Sequence, residues 1–349
     1  MSQKAARRLQ LQCSAQKSVS PFQSSSNKPA QSQAVQQQQQ QQAQELQPAS
    51  SSWQQGMATH KWQWRDSSIN YVTAGCGKPV MLVHGFGASA GHYRKTIPYL
   101  AQNGFKVYAI DLIGFGASDK PVQQYTIELW AELIVDFMAE FMPGTPAVIV
   151  GNSIGSLSCL TAAAAAPEGQ LAGLVLLNSA GAMNNKGVIN DWRIVLALPL
   201  LLLIDFLLKT PPIARALFDA LARPETIRKV LGGVYVDKAA VDDELVDIIL
   251  APAFTPNALD VFVSVITGPA GPKPWDLLRK VSCPLFVAWG DTDPFTPIDG
   301  PVGKYFLDLS SSRPDTQFAV LPGVGHCPQD DRPELLHEQL LPWLKQRWA

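Results

Sequence analysis

The pentapeptide Gly151-Asn152-Ser153-Ile154-Gly155 stands between the apolar run Ala147-Val148-Ile149-Val150 and the Ala-rich stretch from Ser156 to Ala166. A strand must therefore turn directly into a helix around a serine. At such an elbow the serine takes a strained backbone turn, and both flanking positions need glycine because a Cβ there would collide with the neighbouring strand or helix. Ser153 is thereby a candidate nucleophile. Taken alone, the five residues fit a glycine-cornered turn around a buried serine equally well.

Two later segments of the chain add to it. Strand-like Cys283 to Trp289 runs into Gly290-Asp291-Thr292-Asp293-Pro294, and Phe318 to Leu321 runs into Gly323-Val324-Gly325-His326. Serine, acid and histidine succeed one another, each on a loop at the carboxyl end of a strand. A serine hydroxyl is almost wholly protonated at neutral pH and needs a base; an imidazole, with an unperturbed pKa of about 6.5, suits that task. His326 is the candidate base. An acid then holds the second ring nitrogen, fixes the tautomer and stabilises the imidazolium. Asp291 and Asp293 compete for that post. For the oxyanion, Ile154 at the head of the helix supplies one backbone N–H, and Phe86, after His84-Gly85 at the end of an earlier strand, supplies the other. Phe86 also reads as a pocket wall through its side chain. No His-Glu-x-x-His, Walker loop or dinucleotide fingerprint is present, so a reaction without metal or cofactor is expected.

The remaining polar residues read as structural. His84 reads as a hydrogen-bonder of its loop, His337 as part of a final amphipathic helix, and His60 and His92 as exposed. Asp111, Ser118 and Asp119 read as fixing their loop. Five cysteines, odd in number and without Cys-x-x-Cys spacing, read as reduced thiols, Cys327 beside His326 included.

The organisation is a βα alternation with one interruption. Trp62 to Tyr71 alternates like an opening antiparallel strand or hairpin. Buried strands follow at Pro79–His84, Phe105–Asp111, Ala147–Val150 and Leu174–Leu177, with helical segments near Gly91–Asn103 and at Tyr125–Phe141, the latter capped by Thr126. From about Ala182 to Lys280 the alternation stops, and helical patterns divided by Pro211-Pro212, Gly232-Gly233 and Pro269 to Pro274 replace it. This stretch reads as a helical cap inserted between two core strands. Trp192 to Leu208 is strongly apolar but carries Arg193, Pro199 and Asp205 and falls short of the roughly 20 apolar residues of a span. It reads as a cap helix on the core, a lipophilic pocket wall or a membrane-touching lid. The core resumes at Cys283 and closes with a helix from Pro333 to Trp348. A mostly parallel sheet with helices on both faces is expected.

The composition, 46% hydrophobic over 349 residues, is ample for a sizeable core. A net charge of −1 and no basic stripe among aromatics argue against nucleic acid as a partner, and none is expected. The first 56 residues differ: five basic residues and one acid, with Ser-rich and Gln-rich runs, read as a disordered tail and as a plastid or mitochondrial transit peptide. The domain proper is placed at 57–349.

The pieces His84-Gly85-Phe86-Gly87, Asp111 to Asp119, Gly151 to Gly155, Trp289 to Asp293 and Gly325-His326 together resemble the α/β-hydrolase superfamily across Trp62 to Trp348. Gly151 to Gly155, Asp293-Pro294-Phe295-Thr296-Pro297 and Gly325-His326-Cys327-Pro328-Gln329-Asp330 are similar to plant and algal plastid hydrolases of the pheophytinase and chlorophyll dephytylase type. The resemblance implies Ser153 as nucleophile, Asp293 as acid by its spacing from Trp289-Gly290, and His326 as base, cleaving a lipophilic ester in the plastid through an acyl-enzyme. Asn152 departs from the histidine that often precedes the serine. A serine at 153 excludes the aspartate nucleophile of epoxide hydrolases and haloalkane dehalogenases. Two other readings use the same residues: an acyltransferase, for which His326 to Asp331 has a His-x4-Asp spacing, and a ligand receptor that signals through the cap.

Overall fold

Short apolar runs bounded by glycines become the centre of one eight-stranded sheet. The computed structural model describes residues 52–184 and 192–348, and within 192–201 the side chains of Leu198, Pro199 and Leu200 alone. The reading of the first 51 residues as tail and transit peptide lies outside the described residues. Strands β1 (Ala58–Trp64), β2 (Ser67–Ala74), β3 (Lys78–Val83), β4 (Phe105–Ile110), β5 (Ala147–Asn152), β6 (Leu171–Leu177), β7 (Leu285–Gly290) and β8 (Thr316–Leu321) lie in the order β1-β2-β4-β3-β5-β6-β7-β8. The first two form the expected hairpin, and β2 also runs antiparallel to β4; from β4 to β8 every pairing is parallel.

Because side chains alternate across a strand, each apolar run feeds two cores. Met81, Val83, Ile149, Leu174, Leu176, Leu285 and Val287 face one side, with helices α2 (Ile127–Phe141), α3 (Ile154–Ala165) and α10 (Pro301–Ser312) supplying Phe137, Leu160 and Phe306. Val80, Leu82, Val148, Val150, Val175, Leu177 and Phe286 face the other, covered by α1 (Thr96–Gln102) and α11 (Pro333–Gln346) through Ile97, Leu336, Leu340 and Trp343. Thr126 caps α2 as expected, its Oγ1 accepting from the Leu129 N–H at 3.1 Å. Gly173 is where Trp343 docks, since a Cβ there would lie 2.5 Å from the indole.

Between β6 and β7, among the described residues, come helices and no strand: α4 (Trp192–Leu208), α5 (Pro211–Leu221), α6 (Pro224–Val234), α7 (Asp243–Leu250), α8 (Ala258–Thr267) and α9 (Pro274–Leu278). Prolines open α5, α6 and α9, where the missing N–H costs no intrahelical bond. Several local expectations shift. Gly232-Gly233 falls in the last turn of α6, which ends one residue later at Val234. The segment near Gly91–Asn103 divides into a 3-10 turn, Ala90–Tyr93, and α1. At its end the insertion returns to the core: Leu277 and Leu278 of α9 join the first core cluster. At the other end of the chain, Ser52–Gln54 form a 3-10 turn and Trp53 packs on the second cluster, so these residues of the segment set aside as tail belong to the body.

One buried cation fastens the insertion to the core. Arg94 places Nε 3.0 Å from Asp330 Oδ1 and Nη1 2.7 Å from Asp242 Oδ1 and 2.9 Å from Glu244 Oε2, and Nη2 donates to the Ala240 carbonyl at 3.2 Å. Arg94 and Asp330 are both buried. Removing one partner of a buried pair strands the other charge, a loss of about 3 to 5 kcal/mol. Urea denaturation of Arg94→Met should show a stability loss of that order, partly recovered in the double variant Arg94→Met with Asp330→Leu.

Candidate active site

The backbone of Ser153 has φ 56 and ψ −122, a left-handed conformation for a residue with a side chain. Its neighbours explain how it is held. A Cβ on Gly151 would lie 2.4 Å from the Gly155 carbonyl oxygen, and one on Gly155 would lie 2.3 Å from the His84 carbonyl oxygen and 2.6 Å from that of Val83. Helix α3 thus presses on the end of β3 with no room for side chains at either glycine. The Ser153 N–H donates to the Leu177 carbonyl at 3.0 Å, and the Ser153 carbonyl accepts from Ala180 N–H at 3.1 Å. Strand, helix and the loop after β6 all grip the same residue.

His326 stands on the loop after β8, its N–H donating to the Val234 carbonyl at 3.2 Å. Its Nδ1 is 2.7 Å from Asp293 Oδ2. With the proton on Nδ1, Nε2 carries the lone pair able to accept another. Asp293 is buried and heavily solvated by the protein: Oδ2 also accepts from Asn178 Nδ2 at 2.7 Å and Thr296 Oγ1 at 2.5 Å, and Oδ1 from the N–H groups of Phe295 and Thr296 at 2.7 and 3.1 Å. Burial alone would raise its pKa; the His326 hydrogen bond and charge, with the bonds from Thr296 and Asn178, outweigh burial and hold the carboxyl at about 2. Asp291 is elsewhere. It is exposed and ties its own loop, accepting from the Gly323 N–H at 2.8 Å and from Thr292 Oγ1.

Ser153 and His326 line one cavity of about 720 Å³, together with Phe86, Ile154, Asn152 and His92 from the core and Ile204, Asp205, Val265 and Ile266 from α4 and α8. Gly85 brings the loop after β3 against the elbow, since a Cβ there would lie 3.1 Å from the Ser153 Cβ. The Ile154 N–H, first in α3, has no carbonyl one turn back to bond. Phe86 is also a wall: its ring lies 5.9 Å from that of Phe115 and 6.0 Å from that of Phe262. Among the described residues, no Lys or Arg lines the cavity, and Asp205 there is ion-paired with Lys209 at 2.8 Å. Among the described residues, no group of three or more His, Cys, Asp or Glu could hold a metal ion.

The structural readings of the other polar residues hold for His84 and the Asp111 loop. His84 Nε2 accepts from the Leu112 N–H at 3.0 Å, so the proton sits on Nδ1 and is donated to the Gly85 carbonyl at 2.7 Å. Asp111 accepts from Asn70 Nδ2 and from the N–H groups of Ala90 and Ala117, and Ser118 Oγ donates to its carbonyl. Cys327 is buried, its thiol pKa pushed up chiefly by desolvation. His92 requires correction. It is buried rather than exposed, lines the cavity, and has Nε2 2.7 Å from the Tyr235 hydroxyl while Nδ1 is buried without a partner. Burial lowers its pKa to about 4. His60 is half-buried against Thr73 Oγ1.

Two further residues belong to the site. Asn152, noted in the sequence only as a departure, is buried and donates Nδ2 to the carbonyls of His326 (3.0 Å) and Leu177 (3.2 Å), while Oδ1 accepts from Gln329 Nε2 at 3.2 Å. It ties the elbow to the histidine loop. Asn178, at φ 41, hands Nδ2 to Asp293 and takes the Gly290 N–H on Oδ1 at 3.0 Å. Its position directly after β6, at a strand end like the others, was the available signal.

The family model described as "Alpha/beta hydrolase family" matches residues 80–339. The chain is 27% identical over 285 residues to the 2-hydroxy-6-oxo-6-(2'-aminophenyl)hexa-2,4-dienoic acid hydrolase of Metapseudomonas resinovorans, covering 79% of this chain and 87% of that one. It is 23% identical over 327 residues to a chloroplastic pheophytinase of Arabidopsis thaliana, covering 81% and 65%. A thermophilic esterase from Thermogutta terrifontis superposes with a TM-score of 0.61 at 21% identity, over 84% of this chain and 100% of that one.

With a folded pKa of about 2 against about 3.9 for an unfolded aspartate, Asp293 stabilises the fold at any pH above about 4, and this contribution fades as pH falls towards 2. Asp293→Asn should remove about 2 kcal/mol of that acid-side dependence, read from chemical denaturation between pH 2 and 6. Asn152→Ala leaves the His326 carbonyl and Gln329 amide unpaired and should cost about 1 to 3 kcal/mol in the same measurement.

Proposed function

Because the chain belongs to the alpha/beta hydrolase family and is a hydrolase of that type, we propose that it cleaves a lipophilic carboxylic ester through an acyl-enzyme, with Ser153 as nucleophile, His326 as base and Asp293 as acid. The observation that carries the reading is the shared cavity: a strained serine and a histidine whose Nδ1 is held 2.7 Å from a buried carboxylate open onto the same apolar space. In this mechanism Ser153 Oγ attacks the ester carbonyl as His326 Nε2 takes its proton. The oxyanion is met by the N–H groups of Phe86 and Ile154. His326 returns the proton to the departing alcohol, then activates the water that releases the acid. Asp293 stays ionised throughout, in keeping with its depressed pKa.

A neutral substrate is favoured over an anionic one. The dienoic acid named for the Metapseudomonas relative carries a carboxylic acid and a ketone but no ester, so its hydrolysis breaks a carbon–carbon bond. Such a carboxylate would be met by hydrogen bonds alone, since among the described residues the lining of this cavity offers no Lys or Arg. Asp331, whose spacing from His326 suggested an acyltransferase, accepts from the N–H groups of Gly325, Val236 and Asp237 at 2.7 to 3.1 Å and so ties the histidine loop to the insertion. A plastid location is supported by the chloroplastic relative and by the basic, acid-poor first 56 residues.

The wild-type protein should label with a fluorophosphonate probe and turn over long-chain p-nitrophenyl esters. Ser153→Ala should abolish labelling and lower kcat by about a thousandfold or more. A folded wild-type protein that neither labels nor hydrolyses any ester in a panel that includes pheophytin overturns the reading.

A further inference from the structure

A helix that is apolar all round ordinarily lies inside a protein or a membrane. From Leu198 to Leu208 helix α4 carries a single charged residue, Asp205, yet among its described side chains only one side is covered. Leu208 is buried and Ile204 and Asp205 line the cavity, whereas Leu200, Leu202, Leu203 and Phe206 are each more than half exposed, Phe206 by 68%. Neighbouring α5 continues the surface with Ile213, Leu217 and Leu221, spaced four residues apart along one stripe. So large a set of exposed apolar side chains on one helical pair marks an interaction surface. Among the described residues, no single helix is long and apolar enough to cross a bilayer, so the surface is one that lies on its partner.

Charge selects that partner. From Trp192 to Val234 the sequence holds six basic residues (Arg193, Lys209, Arg215, Arg223, Arg228 and Lys229) against three acidic ones, a net of +3, within residues 57–349 that carry −5 in total. The part of the body richest in exposed leucine is thus the part with the opposite sign to the rest. An apolar face carried on a segment of net positive charge fits an anionic lipid surface, where buried side chains and the negative surface potential act together. It also adjoins the cavity mouth through Ile204 and Asp205, the route an ester dissolved in that lipid would take.

We propose that the outer faces of α4 and α5 dock onto an anionic membrane surface. This goes beyond the hydrolase reading and is tested without turnover. The full chain is sedimented with vesicles of phosphatidylcholine alone and of phosphatidylcholine with phosphatidylglycerol. Stronger binding to the anionic vesicles, weakened by added salt, is expected. The double variant Leu202→Gln with Phe206→Gln, which touches neither cavity nor core, should bind the anionic vesicles at least about tenfold less, while Val122→Gln, an exposed apolar residue elsewhere, should bind as wild type. Thermal melts of both variants show that they fold. No vesicle binding by the wild type, or binding that the double variant leaves intact, overturns the proposal. So does a wild-type dimer in solution that the double variant dissociates without any lipid binding, which would make the face a contact between copies.

Discussion

A serine holds φ 56 only where the surrounding chain leaves it no other conformation, and around Ser153 the alternatives are removed one by one. Gly151 and Gly155 let α3 close on β3 at distances that no Cβ would tolerate. The carbonyl of Leu177 then takes the serine N–H, and the serine carbonyl takes that of Ala180. Strain of this kind costs of order 1 to 3 kcal/mol and persists because the two cores, not the turn, set the distance between strand and helix. The same closeness brings Gly85, and with it Phe86, beside the serine. The loops of β3, β5 and β6 therefore meet at one point because one helix has nowhere else to go.

Held in this way, the site relies on hydrogen bonds for its electrostatics more than on ion pairs. Asp293 has five partners, two of them backbone N–H groups of the turn that begins at Pro294, so its charge survives burial. His84 and His92 experience the opposite balance: without comparable support, burial lowers their pKa values. Three histidines in one region thus differ in role because of what faces them, and of the three His326 alone faces a carboxylate within hydrogen-bond reach at its ring.

What could be read from the sequence was whatever depends on neighbours in the chain. Alternating apolar runs gave the strands, the two glycines gave the elbow, and Thr126 gave a helix start, because each rests on local geometry. Asn152, His92 and Arg94 were not legible as site or anchor residues, since their partners lie far away in sequence: Asn152 meets Gln329 across 177 positions and Arg94 meets Asp330 across 236. Nothing in a linear pattern marks such a pair. His92 was read as exposed and is buried, where Tyr235 from the insertion meets its Nε2. Gly232-Gly233, read as a divide between helical patterns, lies in the last turn of α6, which ends at Val234.

The insertion between β6 and β7 has two unlike halves. From Val234 onward it is wired to the chemistry, its carbonyls and N–H groups engaging His326 and Asp331 and its acids engaging Arg94. Among the described residues, helices α4 and α5 carry no such bond to the acid or the histidine and contribute wall and surface instead. The two halves consequently differ in what a substitution would touch. Substitutions in the second half would reach the loop that holds His326, whereas those in α4 and α5 would alter wall and surface and leave the His326–Asp293 pair as it stands.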